Sequence, residues 1–123
     1  MKRAVILSLL VAGCAPSVEE LRQEPVKFEL TVPESWDKVG ACLVNGYADG
    51  WRPLYVPVVS EHRAELTIYF PGSYLTGDLP HAIFDIRGAD RGTTVTFRRR
   101  KLAAGQVSTE TKARELVERC GRD

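Results

Sequence analysis

Apolar and polar residues alternate strictly over Phe28-Glu29-Leu30-Thr31-Val32, the period-2 pattern of a strand with one buried face, and Pro33 ends it. The period then changes. Trp36, Val39, Leu43 and Tyr47 recur at helical spacing behind Ser35, an N-cap residue, which predicts a helix over 36–47 in spite of Gly40 and Gly46. Turn residues follow in Asp49-Gly50-Trp51-Arg52-Pro53, and Leu54, Val56 and Val58 alternate around Pro57. A proline cannot donate to a ladder, so this strand belongs at an edge or is irregular. The clearest strand is 64–70, with Ala64, Leu66, Ile68 and Phe70 inward and Glu65, Thr67 and Tyr69 outward, and Pro71-Gly72 stops it. After a loop over 73–80, the alternating runs 82–87 and 93–98 flank the glycine-bracketed turn 88–92, which reads as a hairpin. Ser108 caps a last helix over 109–120, where Ala113, Leu116, Val117 and Cys120 fall at i, i+3, i+4 and i+7 and Gly121 supplies the stop.

The order is therefore β-α-β-β-β-β-α. Strands with one apolar and one polar side fit a mostly antiparallel sheet that packs one face and wets the other. The expected architecture is a two-layer α+β domain of four to five strands with two helices on the apolar face. Its inward positions would be Phe28, Leu30, Val32, Leu66, Ile68, Phe70, Phe84, Ile86, Val95 and Phe97.

The N-terminus carries a different signal. Met1-Lys2-Arg3 supplies two cations, Ala4-Val5-Ile6-Leu7-Ser8-Leu9-Leu10 is apolar apart from Ser8, and Val11-Ala12-Gly13-Cys14 brings small residues up to a cysteine. The stretch from Ala4 to Val11 is far short of the roughly 20 residues that span a bilayer as a helix. This start resembles a bacterial lipoprotein signal peptide ending in a lipobox. The resemblance implies that residues 1–13 are removed and that Cys14 receives a diacylglycerol on sulfur, becomes residue one, and is then acylated on its amine. Several acyl chains anchor stably where one binds only marginally. Ala15, not Asp, follows the cysteine, which in lipoprotein sorting implies the outer membrane rather than the inner. Residues 14–26, polar and bracketed by Pro16 and Pro25, read as a lipidated flexible tether ahead of a single domain over 27–123. The order of elements is similar to small two-layer α+β modules of envelope lipoproteins, the helix-grip type among them, a likeness of fold alone.

Loss of the leader changes the balance of charge. The mature chain would have 110 residues, 123 less the 13 of the leader, which is one domain's worth of core. Without Lys2 and Arg3 the 17 cations become 15 against 16 anions, a formal charge of −1. That gives no general electrostatic reason to bind nucleic acid. Of the three cysteines, lipid would consume Cys14, leaving Cys42 and Cys120 as an even pair in an oxidising compartment. A disulfide joining the two helices is expected, with free thiols as the alternative; it would close a loop of ~79 residues, for which the chain-entropy model assigns about 4 to 5 kcal/mol.

Motifs of catalysis do not appear: the sequence has no Gly-rich phosphate loop, GxSxG elbow, HExxH or CxxC. His62 and His81 are read as solvated loop residues that would need to converge on carboxylates such as Glu61 and Asp78 to hold a metal or act as a base. No metal or cofactor is implied. Two features suit recognition instead. Arg98-Arg99-Arg100-Lys101 is the densest charge run, able to meet headgroup phosphates, lipopolysaccharide or an acidic partner from a strand end. Tyr69, on the wet strand face, and Tyr74, in a loop, are candidate aromatic contacts, whereas Trp51 and Tyr55 read as core packing. The expected function is that of a non-catalytic accessory or binding module for an envelope protein, anchored at the outer membrane on its periplasmic side. The alternative is a small-ligand carrier or weak hydrolase with a pocket between sheet and helices, which the bulky inward residues disfavour.

Overall fold

Each alternating segment becomes a strand and each helical stripe a helix in the computed structural model, which describes residues 17–72, 77–101 and 108–122. In chain order the elements are α1 (Val18–Arg22), β1 (Val26–Val32), α2 (Trp36–Gly46), β2 (Arg52–Val58), a single 3-10 turn over Val59–Glu61, β3 (Arg63–Phe70), β4 (Leu79–Ala89), β5 (Gly92–Arg99) and α3 (Ser108–Cys120). The five strands form one antiparallel sheet in the order β1-β5-β4-β3-β2. Strands β2 to β5 are thus an up-and-down meander, and β1 closes it by pairing with β5 at the far side. Because β1 and β2 occupy opposite edges, α2 must cross the whole sheet to connect them. The fold is α+β, as the pattern of residues predicts.

Between the sheet and the two long helices the core is built from aromatics. Register places Leu66, Phe84, Phe97 and Phe28 side by side across four strands. Ring centroids lie 5.0 Å apart for Phe28 and Phe97, 4.9 Å for Phe97 and Phe84, and 5.8 Å for Phe84 and Tyr47, which caps the end of α2. Val39 and Leu43 of α2 and Ala113, Leu116 and Val117 of α3 close over this row, all of them buried. The two glycines that weaken α2 as a helix are explained by what approaches it. A Cβ at Gly40 would overlap the Tyr55 hydroxyl, and one at Gly46 would overlap the Leu116 side chain. Helix propensity worth about 1 kcal/mol per glycine is given up for close packing. Cys42 and Cys120 are joined by a disulfide with Cα atoms 5.6 Å apart, tying α2 to α3 across 78 positions of sequence.

Three local expectations are corrected. Within the segment read as a tether, Val18–Arg22 form a docked helix. Ser17 and Glu20 form a reciprocal capping box, Leu21 is only 2% exposed, and Arg22 makes a two-pronged ion pair with Glu65 of β3. Helix α1 packs on β4 and β5. It lies on the face opposite α2 and α3, which is why the outward residues Thr67 and Ile83 are buried there. Second, Phe70 is 51% exposed, because β3 ends beside the edge strand, where no helix covers it; its ring leans edge-on against Trp51 at 5.5 Å. Third, His81 is a buried strand residue and not a solvated loop residue. Ile68 pairs with Ala82 but Tyr69 with Pro80, so His81 is the extra residue of a β-bulge, 7% exposed.

The proline-bearing strand does sit at an edge, as expected for a segment that cannot donate at Pro53 and Pro57. Its Tyr55, opposite Leu66, faces the helices, whereas Leu54 and Val56 lie half-exposed on the outer face.

Replacing Cys42 and Cys120 together by serine should lower unfolding free energy by about 4 kcal/mol in urea titrations, and reductant should then have no further effect on the variant. A loss below about 1 kcal/mol would show that the helices hold their places without the bridge. Leu21→Ala should cost about 2 kcal/mol by the same measurement, whereas an undocked tether would leave stability within about 0.5 kcal/mol of the parent.

Candidate functional site at the basic end of the sheet

Strand periodicity divides the run from Arg98 to Lys101 between two faces. Arg98 points outward, opposite Ile83 and Val26, and its Nε donates to the Glu24 carbonyl at 3.0 Å, just past α1. Arg99 points inward, beneath α3, where its guanidinium lies 3.6 Å from the Glu110 carboxylate with the side chain only 13% exposed. Both of these arginines are therefore tied into the fold. Arg100 follows the strand, its amide donating to the His81 carbonyl at 3.1 Å, and its guanidinium has no acidic partner among the described residues. Lys101 is exposed.

Arg100 and Lys101 line a depression of about 230 Å³ together with Ser17, Leu21 and Pro80, and with Glu20 and Glu24 on its acidic side. Glu20 is engaged in the capping box, where its carboxylate accepts from the Ser17 amide at 2.9 Å. The α1 helix thus supplies one wall and the end of β5 the other.

Beneath this end, on the helix side, lies His81. The Trp51 ring is 5.0 Å from its own, and Tyr47, Phe97, Thr109 and Lys112 line the same small space, about 10 Å³ in volume. Burial, and after it the Arg100 and Arg99 charges, hold the His81 imidazole neutral down to about pH 4. Burial likewise pushes the Tyr47 phenol above its ordinary range. The space beside the imidazole takes nothing larger than a water.

The other residues singled out in the sequence are dispersed. Tyr69 is half-buried on β3 opposite Pro80, and β4 separates it from Arg98, so the two strands lie about 10 Å apart. Tyr74 and Cys14 lie outside the described residues. His62 occupies a left-handed turn (φ 51°) beside Gly88 and Trp36, at the opposite end of β4 from His81. Glu61 is held by Arg63, and Asp78 by Arg52 at 3.4 Å, so neither carboxylate joins a histidine. Near His62 an open depression of about 550 Å³ runs along the N-terminus of α2, between Glu34, Trp36, Lys38 and Asp90. Its walls mix charge of both signs. Sequence reasoning missed α1 as a wall of the basic site, although Ser17-x-x-Glu20 is a readable capping box.

An imidazole that titrates near 6.5 when unfolded and near 4 when folded makes the unfolded chain bind more protons between those values. Stability should be full above about pH 6.5 and fall by up to about 3 kcal/mol as pH drops toward 4. His81→Asn, which cannot take the proton, should flatten that part of the profile in denaturation series run at each pH. Parallel profiles for the two proteins would mean that His81 takes up its proton equally in the folded and unfolded chain.

No family model, curated protein or solved structure matches this chain.

Proposed function

We propose that the protein is a lipoprotein held at the periplasmic face of the outer membrane by acyl chains on Cys14, and that its folded domain is a non-catalytic accessory or binding module for an envelope protein. The observation that carries the address is the run Val11-Ala12-Gly13-Cys14 behind a cationic start and an apolar stretch. The Cys42–Cys120 bridge supports it, because structural disulfides persist in oxidising compartments, and it leaves Cys14 as the remaining cysteine of three. Support for the binding role is of a different kind. Among the described residues the aromatic row fills the space between sheet and helices, and the gap beside His81 is only about 10 Å³, so a carrier pocket there would have to displace core. What the domain offers to a partner is on its outside: the depression at Arg100 and Lys101, and the half-exposed Leu54 and Val56 along an edge strand.

Metabolic labelling with an alkyne fatty acid should mark the wild-type protein and leave Cys14→Ala unmarked, with the variant retaining its leader. Equal labelling of both would remove the lipoprotein reading. Affinity capture from detergent-solubilised membranes should return a defined envelope protein with the acylated form. Recovery of a bound small molecule in stoichiometric amount would instead favour the carrier.

A further inference from the structure

Docking of α1 decides how far the domain can stand from its own anchor. Were residues 14–26 a free tether, the twelve steps from Cys14 to Val26 would let the domain move about 40 Å from the bilayer. Leu21 is buried, and Arg22 is clamped to Glu65 at 2.8 Å, so the folded part begins at Ser17. Three residue steps then separate Cys14 from Ser17, at most about 11 Å of chain. Ser17 lines the same depression as Arg100 and Lys101. An acylated sulfur must lie at the boundary between headgroups and acyl chains, so the phosphate layer comes within about a Debye length, ~8 Å at physiological salt, of this depression.

The chemistry there suits phosphate. Arg98 and Arg99 are committed to the Glu24 carbonyl and to Glu110, but the Arg100 guanidinium, whose Nε is buried, has no hydrogen-bond or acidic partner among the described residues, and Lys101 is exposed. A guanidinium fork beside an ammonium is the donor set that a phosphate oxyanion takes. Glu20 and Glu24 balance Arg100 and Lys101 around the depression, and Arg98, on the same face with its Nε on the Glu24 carbonyl, adds a third cation beside it.

We propose that the depression between Ser17 and the end of β5 receives a phospholipid phosphate from the bilayer that holds the anchor, with Arg100 and Lys101 as its donors. The domain then lies against the membrane by this end, with the α2 N-terminus and the β4–β5 turn directed away from it. The assignment rests on acylation at Cys14.

The test uses the acylated mature protein, reconstituted into vesicles of phosphatidylglycerol and phosphatidylethanolamine or into phosphate-free galactolipid vesicles. Acetylation of individual lysines by a water-soluble reagent is followed by mass spectrometry. In phospholipid vesicles Lys101 should react about tenfold or more slowly than in galactolipid vesicles, while Lys38, at the far end, reacts equally in both. Arg100→Gln should restore most of the Lys101 rate, a fivefold change or so for one charge lost at a membrane surface. Equal Lys101 rates in the two vesicles would overturn the docking and leave the anchor standing. Slowing by millimolar inorganic phosphate alone, in galactolipid vesicles, would make this a free-phosphate site and overturn the lipid assignment. Wild-type protein without acyl chains would overturn the anchor and the docking together.

Discussion

The bridge between Cys42 and Cys120 is the constraint on which the arrangement of the domain depends. Helix α3 brings only four buried residues to the core, Ala113, Leu116, Val117 and Cys120 itself, and the remainder of its surface is charged or polar. Tying its last turn to the middle of α2 limits where that stripe can lie on the sheet. Once it is there, the groups around it have their positions set. Glu110 is available to the inward Arg99, the Arg114 guanidinium stacks over Phe28 at 4.8 Å, and the Lys112 ammonium reaches the Tyr47 ring at 5.1 Å. His81 is closed off from water by the same helix and by Trp51. With the inner face filled, the surfaces the domain offers are its rims and its outer face.

On that outer face the N-terminal segment has a second role. A five-residue helix has too few internal hydrogen bonds to persist alone, so α1 exists because Leu21 is buried and Arg22 meets Glu65. Its docking does two things to the basic end. It occupies Arg98 through the Glu24 carbonyl, and it builds the second wall of the depression at Arg100. A run of four cations that looks uniform in sequence is thereby divided into two structural arginines and two available groups. Strand alternation sends Arg98 and Arg99 to opposite faces, where α1 and α3 respectively engage them.

Periodicity in the sequence carries the elements and their order well, because each strand has one buried face and each long helix one apolar stripe. It carries the edge position of β2 through Pro57, and the even pair of cysteines indicates the bridge. Strand order is another matter: alternation assigns a side chain to a face but says nothing about which strand lies beside which, and so left open whether Tyr69 and Arg98 share a surface. The same limit explains Phe70, which has the inward parity but lies where no helix reaches. His81 was hidden because a bulge inserts one residue and resets parity, and nothing in Leu79-Pro80-His81-Ala82 announces it. Leu21 stands as a single apolar residue among polar neighbours, too little for a periodic signal, although the capping box around it was readable.

Placement of the cations then bears on what kind of module this is. A domain on a long tether samples a large volume and binds partners wherever they are, at an effective concentration that falls with tether length. One whose folded part begins three residues after its anchor works at a fixed height and in a fixed orientation. Under the anchoring proposed at Cys14, the far end of this domain, with the open depression beside Lys38 and the β4–β5 turn, would be presented to the periplasm at the domain's own length from the bilayer. Leu54 and Val56, half-exposed on an edge strand that runs along that axis, would under the same proposal face sideways along the membrane, towards a neighbouring protein. Undocking α1 would abolish this geometry without unfolding the sheet, so Leu21 connects the packing of the domain to the direction in which its surfaces are offered.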